Sequence, residues 1–484
     1  MRPSNVLPAP LPRVIQGGMG IGVSNWRLAN AVSRLGQLGV VSGTAIDTVF
    51  VRRLQDGDPG GHVRRALSHF PIPGVADELL RRYFRENGRD AGGPYHLLPM
   101  YKQAVSSARQ RVTVAAAFVE TWLAREGHEH GVGLNLLTKV QMPNLPTLYG
   151  AMLAGVTTVI MGAGIPREIP GALDALAEHA PATLRFDIEG AARDDAAVLR
   201  FDPAELWPDH ALSTTPLHRP AFYPVVSAVS LAATLARKST GRVDGFVVEG
   251  PTAGGHNAPP RGPLTLDERG QPIYGERDAV DLARMADLGL PFWVAGGAGT
   301  PDGLRAAEAA GAAGVQVGTL FAYCEESGLA PELRHAVCDG IREGTVSVHT
   351  DPRASPTGYP FKVVQLSTRD GQTPLSGTRE RLCDLGYLRE PVRLDDGRLV
   401  YRCAAEPVEA FVKKGGAVEA TVGRQCLCNG LLADIGLGQR RGAEVEPPLV
   451  TSGDDLASVG HLARGGPYHA ADVLRWLLRD ELMA

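Results

Sequence analysis

Short apolar runs that end on small residues or glycine recur along this chain, and stretches with helical spacing follow most of them. The first, Arg13 to Gly18, closes on Gly17, Gly18, Met19 and Gly20, and a helix with Ser24 as N-cap is expected from there to Leu35. Gln37 to Gly43, Gly133 to Leu137 and Gly155 to Gly164 repeat the pattern. Pro224 to Val229, Asp244 to Glu249, Pro291 to Ala295 and Gly314 to Val317 complete it. Eight such strands alternating with helices predict an α/β fold, a TIM (β/α)8 barrel whose chemistry lies at the C-terminal strand ends.

Two stretches interrupt the rhythm. Residues 45–131 are rich in arginine at helical spacing and broken by prolines, which predicts a helical insertion after strand 2; residues 183–220 fit no barrel unit and read as a second insertion. The barrel is expected to finish near Gly344, giving a domain of residues 1–344. Residues 345–484 are proline- and glycine-rich with weak periodicity, and are expected to form a C-terminal cap over the mouth.

Composition narrows the function. A hydrophobic share of 44%, a charged share of 21% and a net charge of -4 leave no basic field for nucleic acid or anionic lipid, so a small-molecule partner is expected. No stretch is apolar enough to span a bilayer, and the proline-rich arm Met1 to Arg13 lacks the apolar centre of a signal peptide; the expectation is a cytoplasmic protein. Nothing in the residues addresses oligomeric state.

The candidate chemistry gathers at the strand ends. Val247 to Asn257 is an apolar strand running into Gly254, Gly255 and His256, where glycines let a ligand approach the backbone and an imidazole can move a proton near neutral pH. Gly296 and Gly297, then Gly318 and Thr319, end the last two strands, where barrels commonly hold a phosphate on backbone N–H groups. The alternative is that these glycines only permit tight turns.

Taken together, Val-Ile-Gln-Gly-Gly-Met-Gly at the start, Gly133 to Leu136, Ala253 to His256, Ala295 to Gly299 and Val315 to Thr319 resemble the nitronate monooxygenase (2-nitropropane dioxygenase-like) flavoproteins. That family is related to FMN-dependent enoyl-ACP reductases and to the trans-acting enoyl reductases of polyketide and polyunsaturated fatty acid synthesis. The resemblance implies FMN as cofactor, with Gly17, Gly18 and Met19 against the isoalloxazine and Asn135 as a polar contact. It assigns Gly254 and Gly255 to the flavin side of their loop, Gly296, Gly297, Gly318 and Thr319 to the phosphate, and His256 to the catalytic acid/base position. It implies oxidation of an acidic carbon substrate such as a nitronate with oxygen. An NAD(P)H-dependent enoyl-thioester reductase, acting on a carrier-protein-bound substrate, is the alternative, and a non-catalytic flavin-binding partner the second. The chain departs from compact members in its length and in the run Asn257-Ala258-Pro259-Pro260 after the histidine.

The C-terminal region holds a separate signal. Cys383, Cys403, Cys426 and Cys428 could ligate an iron–sulfur cluster or zinc, although their spacing matches no standard pattern; four packed thiols are the alternative. Cys324 and Cys338 read as packing.

Overall fold

In the computed structural model, which describes residues 10–90, 93–192, 197–208, 212–368, 371–374 and 379–479, eight parallel strands form the centre of the molecule. They are β1 (Val14–Gln16), β2 (Gly39–Ser42), β3 (Val132–Leu137), β4 (Thr158–Gly162), β5 (Ala221–Val226), β6 (Phe246–Glu249), β7 (Phe292–Ala295) and β8 (Gly314–Val317). Each pairs with its sequence neighbour in this set, and β8 returns to β1 with Val14 opposite Val315. The last seam, between β1 and β2, is closed by a parallel bridge from Ile15 to Leu38. The Gln16 side chain reinforces it: its Oε1 accepts the Val40 N–H at 2.9 Å. The expected (β/α)8 barrel is therefore present.

Side chains fill its lumen. Ile15, Val40, Ile160, Tyr223, Val247 and Trp293 form one buried cluster, with the Tyr223 and Trp293 rings 4.8 Å apart. Because the outer faces of the strands are also covered by helices, the strands read in sequence as unbroken apolar runs rather than as alternation.

Several expected boundaries shift for local reasons. The first helix is Trp26–Arg34, capped by Asn25, whose side chain accepts the Leu28 N–H. Ser24 is not the cap, because its hydroxyl braces the preceding loop, donating to the Gly17 carbonyl at 2.9 Å and accepting the Met19 N–H at 2.8 Å. The fifth strand runs Ala221–Val226, starting ahead of Pro224 and stopping short of Val229, because Ser227 and Ala228 turn the chain out of the sheet and Val229 already opens the next helix.

The insertion after β2 is helical as expected, with helices Ile46–Gln55, His62–Leu67, Val75–Tyr83 and Ser107–Arg125; Ala91 and Gly92 of it lie outside the described residues. The stretch 183–220 contributes a small hairpin, Ala182–Arg185 against Val198–Phe201, while residues 193–196 and 209–211 are not described. Residues 1–9 of the N-terminal arm are likewise outside the description. Among the described residues no helix is long and apolar enough to cross a membrane.

Helix Pro331–Glu343 ends on Gly344 in the left-handed region, φ +71°, where the barrel was expected to finish. Beyond it, β9 (Val346–Asp351) and β10 (Phe361–Thr368) pair antiparallel. At its other end β10 meets the barrel: Phe361 bridges His256, the Lys362 N–H donates to the Gly255 carbonyl, and the Asn257 N–H to the Pro360 carbonyl, both at 3.0 Å. The C-terminal region is thus hydrogen-bonded into the strand-end loops, a closer union than the covering layer expected of it.

Candidate active site

All eleven residues expected at the flavin and the proton-transfer position line one cavity at the C-terminal strand ends: Gly17, Gly18, Met19, Asn135, Gly254, Gly255, His256, Gly296, Gly297, Gly318 and Thr319. The cavity is open to solvent at its mouth, with the glycine loops and the C-terminal region both contributing to its lining.

The β1 loop is shaped by close approach. A Cβ on Gly18 would lie 2.1 Å from the Cβ of Asn135, so any other residue there would push the two loops apart. Asn135, in turn, anchors its amide to the Ile160 carbonyl at 3.4 Å. On the opposite side Gly296 and Gly297 both adopt positive φ, +85° and +71°, a conformation that favours glycine and turns consecutive backbone N–H groups along one loop. Helix Pro301–Ala309 begins just beyond, capped by Thr300.

A C-terminal run that sequence reasoning did not single out seals this end. The Gly255 N–H donates to Thr451 Oγ1, the Gly453 N–H donates to Thr319 Oγ1, both at 3.0 Å, and the Asp454 N–H donates to the Thr252 carbonyl at 3.1 Å. The signal was available: Leu449-Val450 followed by Thr451-Ser452-Gly453 and then helix Leu456–Leu462 repeats the strand-end grammar of the barrel turns. Asp455 adds an acceptor. Its Oδ2 is buried without a partner, against Gly299.

His256 differs from expectation in its surroundings. It was expected to end a strand with little to shield it; β6 instead stops at Glu249, and the imidazole is packed edge-on to Phe361, 4.8 Å between rings, with Tyr359 at 6.4 Å. Its Nε2 is 2.7 Å from the Ser355 hydroxyl. Burial pushes its pKa down to about 4, so the ring is neutral at pH 7. Glu249 faces the same cavity with no hydrogen-bond or ion-pair partner among the described residues, and burial pushes its carboxyl up to about 8. Both groups, half-buried on the cavity wall, therefore avoid charge.

Residues 213–347, from just before β5 to the start of β9, match the family model for nitronate monooxygenase. Through this segment the chain is similar to the nitronate monooxygenase family. A probable nitronate monooxygenase of Staphylococcus saprophyticus is 33% identical over 122 residues, 25% of this chain and 32% of that protein. A (3aS,4S,5R,7aS)-5-hydroxy-7a-methyl-1-oxo-octahydro-1H-indene-4-carboxyl-CoA dehydrogenase of Rhodococcus jostii is 30% identical over 141 residues, 29% of this chain and 34% of that protein. The chain thus spans about a third of the length of the curated relatives it matches. Among solved structures, FabK from Thermotoga maritima aligns over 98% of this chain and 94% of its own, with a TM-score of 0.46 and 15% identity. Nitroalkane oxidase from Streptomyces ansochromogenes aligns over 98% and 97%, with a TM-score of 0.44 and 13% identity. At these scores neither likeness bears on what the chain does.

The nitronate monooxygenase resemblance implies a flavin, and the cavity has groups suited to one. Gly18 and Asn135 leave a flat opening that a Cβ would fill, the β7 loop turns N–H donors along a positive-φ pair, and the orphaned Asp455 oxygen calls for a donor such as a ribityl hydroxyl. The remaining wall comes from the C-terminal region: Tyr387, Leu388, Leu427, Cys428 and Leu431 face the barrel residues Leu137 and Val140 across an apolar chamber.

The cysteines are brought together, but not as a metal centre. Cys383, Cys403, Cys426 and Cys428 all line one small cavity beside the main one, sharing Leu388, Leu427 and Cys428 as a common wall. Among the described residues no group of three or more His, Cys, Asp or Glu side chains could hold a metal ion, which removes the support for iron–sulfur or zinc. Burial raises the pKa of each of the four thiols, that of Cys383 to about 12, so they pack as neutral groups. Cys324 is buried and Cys338 half-buried, as packing residues.

Proposed function

We propose that this chain is an FMN-dependent oxidoreductase that oxidises an acidic carbon substrate, such as a nitronate, with oxygen. The observation that carries the reading is the convergence of four glycine loops and one half-buried, neutral imidazole on a single cavity. In this reading Gly17, Gly18 and Met19 would face the isoalloxazine and Asn135 would give it a polar contact. Gly254 and Gly255 would border it, and Gly296, Gly297, Gly318 and Thr319 would hold the phosphate. The flavin, when bound, supplies the electron transfer.

The protein supplies position and a proton acceptor. With a neutral acid such as a nitroalkane, neutral His256 takes the proton from carbon beside the electron-withdrawing group, and the electron pair of that C–H bond stays with the substrate as the nitronate. Packing by Phe361 and the C-terminal wall keeps bulk water from the imidazole, which preserves its neutral form.

The apolar chamber formed by Leu388, Leu427, Leu431 and Val140 favours a second reading, reduction of an enoyl thioester with NAD(P)H, because a nitronate alone is too small to need that wall. The relative from Rhodococcus jostii, whose name specifies a carboxyl-CoA compound, fits this alternative. Protein loaded with FMN should turn over with nitroalkanes and oxygen on the first reading, and with an enoyl thioester and NAD(P)H on the second. His256→Asn should retain FMN and lose roughly 10²–10⁴-fold in turnover. Turnover unchanged by His256→Asn removes the histidine from the mechanism, and FMN binding without any turnover favours a non-catalytic flavin-binding partner.

A further inference from the structure

The hydroxyl beside His256 does not stand alone. Ser355 is fully buried, and its Oγ is 2.7 Å from His256 Nε2 and 2.8 Å from Thr357 Oγ1. It also accepts the Thr357 N–H at 3.2 Å, and Thr357 Oγ1 accepts the Tyr359 N–H at 3.4 Å. A hydroxyl has one proton to donate and two lone pairs to offer. With one lone pair of Ser355 taken by the Thr357 N–H, its single proton and remaining lone pair must be divided between His256 and Thr357.

Only two arrangements satisfy that count. In one, His256 Nε2 carries the proton and donates to Ser355, whose own proton points to Thr357 Oγ1; Nδ1 is then a bare lone pair. In the other, Thr357 donates to Ser355, Ser355 donates to Nε2, and the proton of the imidazole sits on Nδ1. The other ring nitrogen, Nδ1, has no partner among the described residues, while the side chain lines the cavity. Among the described residues no carboxylate is hydrogen-bonded or ion-paired to the ring. Lys362, next to the Phe361 packed on the ring, pairs with Asp454 at 2.9 Å, Lys139 lies over the Tyr359 ring at 5.9 Å, and Glu249 and Asp455 line the same cavity.

We infer that Ser355 and Thr357 are positioning residues that aim His256 with Nδ1 into the cavity and set its tautomer, so that Nδ1 is the nitrogen that exchanges a proton with substrate. The inference rests on the reading of His256 as the proton-moving group. When substrate gives up its proton, a new N–H bond forms at Nδ1, the C–H electron pair remains on carbon, and Nε2–H keeps its bond to Ser355 throughout. The imidazolium so formed carries the transferred proton at Nδ1 and returns it from the same atom, with the Ser355 and Thr357 hydroxyls unchanged. Both hydroxyls come from the segment after β9, so the proton-transfer geometry depends on the region outside the barrel.

The test uses the full-length protein carrying ¹⁵N-histidine, with the His256 signals assigned by their absence in His256→Asn. Before substrate is added, Nε2 is expected to be protonated and Nδ1 bare. Ser355→Ala should replace that single tautomer with a mixture and lower kcat by roughly tenfold or more, a part of the gain general acid–base catalysis brings, with KM and FMN uptake little changed. Ser355→Thr, which keeps the hydroxyl, should restore both. Because Ser355 also accepts a backbone N–H, Thr357→Val provides a second variant that spares that turn; it should give a smaller kcat loss with the same mixed tautomer. A protonated Nδ1 in the resting wild type, or Ser355→Ala and Thr357→Val variants with wild-type kcat and tautomer, would overturn the inference. Full activity in His256→Asn would instead defeat the functional reading, with the tautomer result still standing on its own.

Discussion

Replacing Glu249 by Gln tests whether the cavity is as dry as its packing implies. The carboxyl ends β6 on the cavity wall without a hydrogen-bond or ion-pair partner among the described residues, and burial alone lifts its pKa from 4.5 to about 8. Between those values the native state holds a proton that the unfolded chain has lost, so stability falls as pH rises, by about 1.4 kcal/mol for each pH unit. The stability is fully present below pH 4.5 and lost as pH climbs through 8. Between pH 5.5 and 8 the loss amounts to roughly 3 kcal/mol, an upper bound because part of the side chain faces the lumen. Glutamine mimics the protonated acid and cannot ionise. Denaturation of flavin-free wild type and Glu249→Gln should therefore give nearly equal stabilities at pH 5.5, and a variant that is the more stable by up to that amount at pH 8. Groups elsewhere titrate alike in both proteins and cancel in the difference. A stability difference that stays constant across this range would refute the reasoning.

Asp47→Ala should cost about 3–5 kcal/mol in a denaturation experiment, because it strands the buried Arg109 that pairs with Asp47 at 2.7 Å. The four C-terminal thiols, whose pKa values burial raises, should react only slowly with a thiol reagent at pH 8 in the native protein and rapidly once it is unfolded; metal analysis should find no stoichiometric iron or zinc, and finding either would reverse the reading of that cluster.

The barrel was legible because its strands are buried on both faces and end on residues with a distinct job. Gly18 must be small because Asn135 is against it, and Gly296 and Gly297 must tolerate positive φ; such demands leave glycines that sequence inspection can find. Helix starts were less visible where a single side chain decides them. Ser24 has the chemistry of a helix cap and spends it on the Gly17 and Met19 backbone instead, a choice made by tertiary contact. The shielding of His256 was illegible for a different reason: Phe361 and Ser355 lie about a hundred residues further on, and nothing local marks them as its neighbours. The cysteines show the converse error. Their convergence was suspected, but chemistry that suits a metal also suits packing, and only their arrangement in space separates the two.

The insertion after β2 and the C-terminal region, which look like independent additions to a barrel, act on one another at the cavity wall. Burial tends to raise the pKa of Asp47, yet the charge of Arg109 and hydrogen bonds from Tyr387 and Thr113 hold it below its ordinary value, as a carboxylate. Tyr387 also shares a hydrogen bond of 2.6 Å with Thr48. Asp47 and Thr48 belong to the first inserted helix, Arg109 and Thr113 to the last, and Tyr387 to the C-terminal region, where it and the adjoining Leu388 face the cavity. A buried ion pair of this kind adds little net stability compared with apolar packing, but it penalises every arrangement that leaves one partner unpaired. It therefore fixes where the C-terminal wall can stand. The inserted helices thereby set the shape of the apolar chamber without lining most of it, and substitutions at Thr48 or Thr113, out of reach of any substrate, should act on the site through the position of Tyr387.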